Sequence, residues 1–237
     1  MTTEPDRAHP NPLPPATLAL ALRLGADPAC AFSAVGFTQA GHMKLSLKSS
    51  LWLPFRAHQT MSVRSCEFAW NARFMPLGYL AVTDALVGGI GRLDVWAFGG
   101  LPLVRAKASA ALTRGELIRY LAELPLLPDA MLHNHDLAWR EIDASTIAVA
   151  AGAGDTACEI VFTLGQDQRI ASVFCADRAT RASPPFTPMP WHGEFGDYRQ
   201  QGGRWIPSSA QVGWMINGKK CLYWRGRIKD WMTKTSL

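Results

Sequence analysis

Charge is in short supply: Asp, Glu, Lys and Arg make up 18% of the 237 residues, against 48% hydrophobic residues. Disordered chains have the opposite balance, so this one is expected to fold by itself around a sizeable core. Paired cysteines are lacking too. The five present, Cys30, Cys66, Cys158, Cys175 and Cys221, are odd in number, widely spaced and include no CxxC. Neither a disulfide framework nor a metal site is expected. A cysteine inside an apolar run, as in Ile170–Cys175, reads as a small buried hydrophobe in a reducing compartment. Long apolar runs are missing as well. Leu18–Leu24 is broken by Arg23 and stops at Gly25, and Met1–Asp6 holds no basic segment. The expectation is no signal peptide, no stable membrane insertion and a cytoplasmic location.

Catalytic motifs are absent: no G-x-S-x-G, no P-loop, no dinucleotide fingerprint and no H-E-x-x-H. Gly88-Gly89-Ile90-Gly91 has the look of a phosphate loop but lacks the helix that should follow. No cofactor is expected. An acid–base lyase or isomerase is not excluded, because two side chains in a cavity suffice for it.

What is abundant is aromatic surface. Nine tryptophans and ten phenylalanines fall mostly in strand-like segments, which suits either a wide sheet around something greasy or a sheet packed on its own helices. The net charge is +5, and Lys219, Lys220, Arg225, Arg227, Lys229 and Lys234 crowd the C-terminal end. No nucleic-acid signature accompanies them, so nucleic acid is not an expected partner. Alternating Arg225 and Arg227 read as the wet side of a strand.

Residues 1–15 carry five prolines and read as a flexible arm, leaving 16–237 as a single β domain. Pro14 and Pro15 open a helix over Thr17–Leu24 that Gly25 closes. Strand signals follow at Met43–Leu47, at Leu51–Val63 (where Pro54 suggests an edge or bulge) and at Phe68–Phe74, the cleanest alternation in the chain. Tyr79–Val87 and Arg92–Phe98 form a glycine-linked hairpin, and Pro102–Ala108 follows. Thr113-Arg-Gly-Glu116 matches a capping box and opens a helix with Leu117, Leu121 and Leu124 inward and Arg114 and Arg119 outward. Further strands are expected at Thr146–Ala151, Thr156–Leu164, Arg169–Cys175, Trp191–Arg199, Trp205–Ile216 and Leu222–Trp231, with a proline-rich loop over 179–190. The fold class is mainly β (α+β): a curved antiparallel sheet or half-barrel of about eleven strands covered by two short helical regions.

Two clusters carry candidate chemistry. His133-Asn134-His135-Asp136 could orient a general base, or share a metal if extended, yet two ligands are too few, and a solvated loop is the preferred reading. Asp84 shares a strand face with Leu80, Val82 and Leu86, where a carboxylate must be paired, protonated or functional. Arg92 and Arg105 on the next strands are its expected partners. Asp84, His133, His135 and Asp136 are thus the candidate catalytic residues.

Pro188-Met-Pro190-Trp191-His-Gly193-Glu-Phe195-Gly-Asp197-Tyr198-Arg199, then Val212-Gly-Trp214 and Tyr223-Trp224-Arg225-Gly226, resemble a family of functionally uncharacterised bacterial proteins. Trp52-x-Pro54-Phe55 and Leu121–Pro125 fit the same family. The resemblance implies a fold like the bacterial lipoprotein carriers, the LolA-like half-barrel, in which a curved sheet closes over short helices around a hydrophobic cavity. The aromatics of this series also read as cross-strand pairs, with Asp197 facing Arg199 or Arg225. Three functions stay open. The first is binding of a hydrophobic small molecule or lipid, with Phe68, Trp70, Trp96 and Leu121 as cavity wall. The second is a cofactor-free lyase or isomerase, and the third a peripheral membrane or protein-interaction module.

Overall fold

The computed structural model of the chain describes residues 12–75, 80–180 and 187–236. Residues 1–11 of the expected arm, Tyr79 and residues 181–186 of the proline-rich loop lie outside these. Among the described residues, thirteen strands form one antiparallel sheet. They are β1 (Ala34–Met43), β2 (Leu53–Ser62), β3 (Phe68–Phe74), β4 (Leu80–Val87), β5 (Ile90–Ala97), β6 (Leu101–Arg105) and β7 (Ala138–Asp143). The rest are β8 (Thr146–Ala151), β9 (Cys158–Leu164), β10 (Ile170–Ala179), β11 (Pro188–Gln201), β12 (Arg204–Ile216) and β13 (Lys219–Lys234). Three α-helices accompany them: α1 (Pro15–Arg23), α2 (Ala110–Ala122) and α3 (Ala130–His133).

The spatial order is β6-β5-β4-β3-β2-β1-β13-β12-β11-β10-β9-β8-β7, two meanders joined by pairing of the first strand with the last. Two-residue glycine turns make the hairpins. Gly88 and Gly89 between β4 and β5, and Asn217 and Gly218 between β12 and β13, all have positive φ, as the primed turns of twisted hairpins demand. At the β1–β13 seam, Gly41 faces Gly226. A Cβ at Gly41 would lie 2.2 Å from the Arg225 carbonyl oxygen, so the two meanders meet at a backbone approach that side chains would block.

The sheet curls around α2. That helix packs on β4 and β5 at one side and on β8, β9 and β10 at the other. Between β4 and β10 lie seven inter-strand spacings, about 33 Å if flat, against a helix about 10 Å across. Only a strongly curved sheet lets one helix touch both. Side chains pin it there. The Thr113 hydroxyl accepts from the Gly91 amide at 3.0 Å on one flank. Arg114 donates to both Asp177 carboxylate oxygens at 2.8 Å on the other.

These contacts correct several sequence expectations. Thr113 is not the cap of α2; the helix begins a turn earlier, where Ser109 Oγ accepts from the Leu112 amide at 3.2 Å. Arg114 and Arg119 do not face solvent. Pro54 sits near the start of β2, an interior strand, and the first strand lies upstream of Met43–Leu47, because Gly36, Gln39 and Gly41 mute its alternation. Asp197 pairs with Arg227 at 2.9 Å, neither Arg199 nor Arg225. All five cysteines are free thiols. Burial pushes those of Cys66 and Cys158 up to about 12, which keeps them protonated and unreactive at neutral pH. No helix among the described residues is long and apolar enough to cross a membrane.

Candidate functional site

Between α2 and the concave face of the sheet lies a cavity of about 690 Å³, within the range of small-molecule sites. Its far wall comes from β11, β12 and β13. Strand alternation turns Trp191, Phe195, Val212 and Trp214 to this side, and a bulge in β13 opposite Val212 and Gly213 lets the adjacent Tyr223 and Trp224 both line it. Trp191 and Trp214 are register partners. Trp214 stacks on Tyr223 at 6.0 Å and 22°, and the Trp191 indole donates to the Tyr223 hydroxyl at 3.1 Å. Ring contacts and one hydrogen bond thus hold an otherwise apolar surface in one arrangement.

The near wall has another character. Gln59, Trp70, Asp84 and Leu93 are successive register partners across β2, β3, β4 and β5, one row of the inner face. Above this row α2 presents Glu116, Arg119 and Glu123, spaced i, i+3 and i+7 and therefore on one helical face. The Arg119 guanidinium lies over the rings of Phe68 (5.0 Å) and Trp70 (4.9 Å). It donates to Asp84 and, at 3.2 Å, to Glu123. Gln59 also donates to Glu123, Gln39 to Gln59 at 3.3 Å, and the Trp70 indole to Gln39 at 2.7 Å. The chain of donors is continuous from sheet to helix.

Glu116 completes this end. Asp84 Oδ1 and Glu116 Oε2 are fully buried, and no nitrogen or hydroxyl donor reaches either. Burial, then the neighbouring Asp84 carboxylate, drives the Glu116 pKa well above the ordinary range. This direction favours the protonated form of Glu116, whose hydroxyl can donate to Asp84, the arrangement expected when two carboxyls share one dry site. Arg178 of β10, stacked over Trp191 at 4.8 Å, lies farther along the wall. The rim is formed by Lys44–Lys48, where Leu45 and Leu47 are exposed. The Leu45/Leu47 alternation is that of this rim.

Of the residues singled out from the sequence, Asp84 and Trp70 line the cavity. Asp84 is paired with Arg119, a correction to the expected Arg92 or Arg105; Arg92 binds Asp94 instead, at 2.6 Å. Phe68 and Leu121 are fully buried in the core behind the wall. Trp96 is three residues from inward-facing Leu93, so it points to the convex face, where Arg105 lies over its ring at 4.8 Å. His133, His135 and Asp136 are outside the cavity wall. His133 belongs to α3, so the segment is not the extended pair of histidines a shared ligand would need, and its Nε2 donates to the Asp27 carbonyl at 2.8 Å. Asn134 between them is the structural member: it donates to the Tyr120 hydroxyl at 2.9 Å and accepts from the Asp136 amide at 3.0 Å. Sequence reasoning missed Glu116, Arg119 and Glu123. The available signal was a helix with apolar residues on several faces, which is buried all round, charges included.

This cavity, walled by a sheet curled over a helix, is the arrangement in which comparison with other proteins becomes informative. The chain belongs to the DUF6920 family, a family of unknown function whose signature matches residues 20–231. The resemblance drawn from its aromatic motifs is to a family of this kind. No curated protein matches the chain. Solved structures of other proteins share the fold, three of them as follows. A LolA superfamily protein from Nitrosomonas europaea is 8% identical, with a TM-score of 0.50 over 93% of this chain and 94% of its own. A putative outer membrane lipoprotein-sorting protein domain from Vibrio parahaemolyticus is 10% identical, with a TM-score of 0.51 over 94% and 92%. A DUF1329 family protein from Desulfovibrio piger is 9% identical, with a TM-score of 0.51 over 94% and 93%. At such identities the likeness is one of fold, a LolA-like curved sheet over helices.

Proposed function

We propose that this protein binds an apolar small molecule or lipid chain in the cavity between α2 and the sheet. The observation that carries the reading is the aromatic wall of Trp191, Trp214, Tyr223 and Trp224 facing about 690 Å³ that the protein's own side chains do not fill. Interiors are ordinarily packed to crystal density, so an apolar space of this size left between sheet and helix has the dimensions of a ligand site. The fold shared with a lipoprotein-sorting domain supports the same reading.

Gly115 offers a clean test. It lies on the cavity side of α2, and a Cβ there would meet nothing within 4 Å. Gly115→Phe should project a ring into the space from a Cβ that meets no neighbour. Displacement of a fluorescent apolar probe by long-chain lipids is expected in the wild type and lost in Gly115→Phe, with thermal stability equal or higher. Equal probe binding by both proteins would contradict the proposal.

The rim favours a second reading, delivery from a membrane surface. Leu45, Leu47 and Leu51 are exposed beside Lys44 and Lys48, the pattern that seats a loop in an anionic interface. Sedimentation with vesicles containing phosphatidylglycerol should show binding that salt weakens and that Leu45→Ser with Leu47→Ser removes; indifference to both would end this reading.

A further inference from the structure

The near end of the cavity is costly to build for a container of hydrocarbon alone. Three carboxyls, Asp84, Glu116 and Glu123, share one guanidinium, Arg119, and Arg119 is already engaged by Asp84 and Glu123. Glu116 is 6% exposed, lines the cavity and has a buried oxygen that no nitrogen or hydroxyl reaches. Ionised, it would add a negative charge with no counterion of its own. A proton shared with Asp84 fills that role.

We propose, building on the reading that the cavity holds an apolar chain, that its ligand is an amphiphile with a protonated amine head, which takes the place of the proton shared by Glu116 and Asp84. The exchange balances in charge: one ammonium enters, one proton leaves, and the head finds two carboxylates within a dry wall while the tail lies along the aromatics of β11–β13. Charge-assisted hydrogen bonds to carboxylates are the strong kind, and they replace the carboxyl-to-carboxylate bond lost. The other charged groups facing Glu116 are Asp84 from β4, Arg119 from its own helix and Arg178 from β10. From β5 the facing residue is Leu93. Arg178 argues for an anionic head only weakly. It is partly exposed and stacked over Trp191, an environment a guanidinium accepts without an anion, whereas a buried carboxyl oxygen has no such alternative.

Calorimetry with dodecylammonium, dodecanoate and dodecanol, each below its micelle concentration, decides the matter. An alkylammonium keeps its charge throughout the neutral range, as a lysine amine with its pKa of about 10.4 does. The amine should bind most tightly, with release of about one proton, read from the difference between buffers of unequal ionisation enthalpy. Its affinity should rise with pH while that of the alcohol does not. Glu116→Gln should weaken the amine by about tenfold or more, as loss of a charged hydrogen bond does, and leave the alcohol within about twofold. Dodecanoate binding as tightly as the amine, equal affinity for all three, or no proton release would overturn the proposal and leave the apolar cavity standing. Failure of all three to bind would overturn the cavity reading with it. Should Glu116→Gln not fold, the wild-type ranking and proton release still decide, and Asp84→Asn repeats the loss.

Discussion

The two ends of the cavity are built by opposite rules. At β11–β13 large rings stack, with one indole-to-phenol hydrogen bond, and the surface is tolerant of any apolar shape. Under α2 and β4 the wall is an ionic and amide network in which nearly every donor has one specified acceptor. The first end sets what volume of hydrocarbon fits. The second holds α2 at one height above the sheet and gives an elongated guest a direction. Apolar contacts are plastic and polar networks are not, so the ends should answer mutation differently.

The largest difference is expected between Arg119→Leu and Trp191→Ala. Removing the guanidinium leaves Asp84 and Glu123 buried without a counterion, and chemical denaturation should show a loss of about 3–5 kcal/mol. Trp191 borders a space that already exists, so its truncation should fall at or below the low end of the range for large-to-small core changes, about 3 kcal/mol, and enlarge the guest the cavity accepts. Equal losses would erase the distinction between the ends.

A smaller and more specific effect attaches to pH. In the folded protein the Glu116 pKa is raised above its ordinary value of about 4.5, so between that value and the folded one the native state holds a proton that the unfolded chain has released. This contribution is fully present at lower pH and is lost as pH rises through the folded value, by up to about 1.4 kcal/mol per pH unit. Glu116→Gln should therefore gain on the wild type as pH rises from about 4.5 to the raised folded value, and no further beyond it. Parallel stability curves for the two proteins would mean that Glu116 is not held protonated.

How far each region could be read from the chain follows from what its residues advertise. Phe68–Phe74 alternates without exception, and its strand is where periodicity puts it. Gly88-Gly89 and Asn217-Gly218 mark hairpins because few other residues accept their backbone. Trp191, Phe195, Trp214, Tyr223 and Trp224 are legible as partners across adjacent strands, but which face they share is decided by register, and only the curl of the sheet makes that face a cavity wall. The polar end is the least legible. Thr113 and Glu116 have the spacing of a capping box, and Arg119 looks like an ordinary wet-face charge; local patterns give both the wrong place because the helix is flanked on two sides by strands remote in sequence. Trp96 shows the same limit in miniature, one residue of strand parity away from the interior.

The central claim, that the sheet encloses more apolar volume than its side chains fill and that a guest occupies it, is tested most directly by native mass spectrometry of protein purified from its own host. The account predicts a lipid-sized adduct on the wild type that is absent from Gly115→Phe prepared in parallel. A wild-type mass equal to that of the bare chain, or an adduct retained equally by Gly115→Phe, would contradict it.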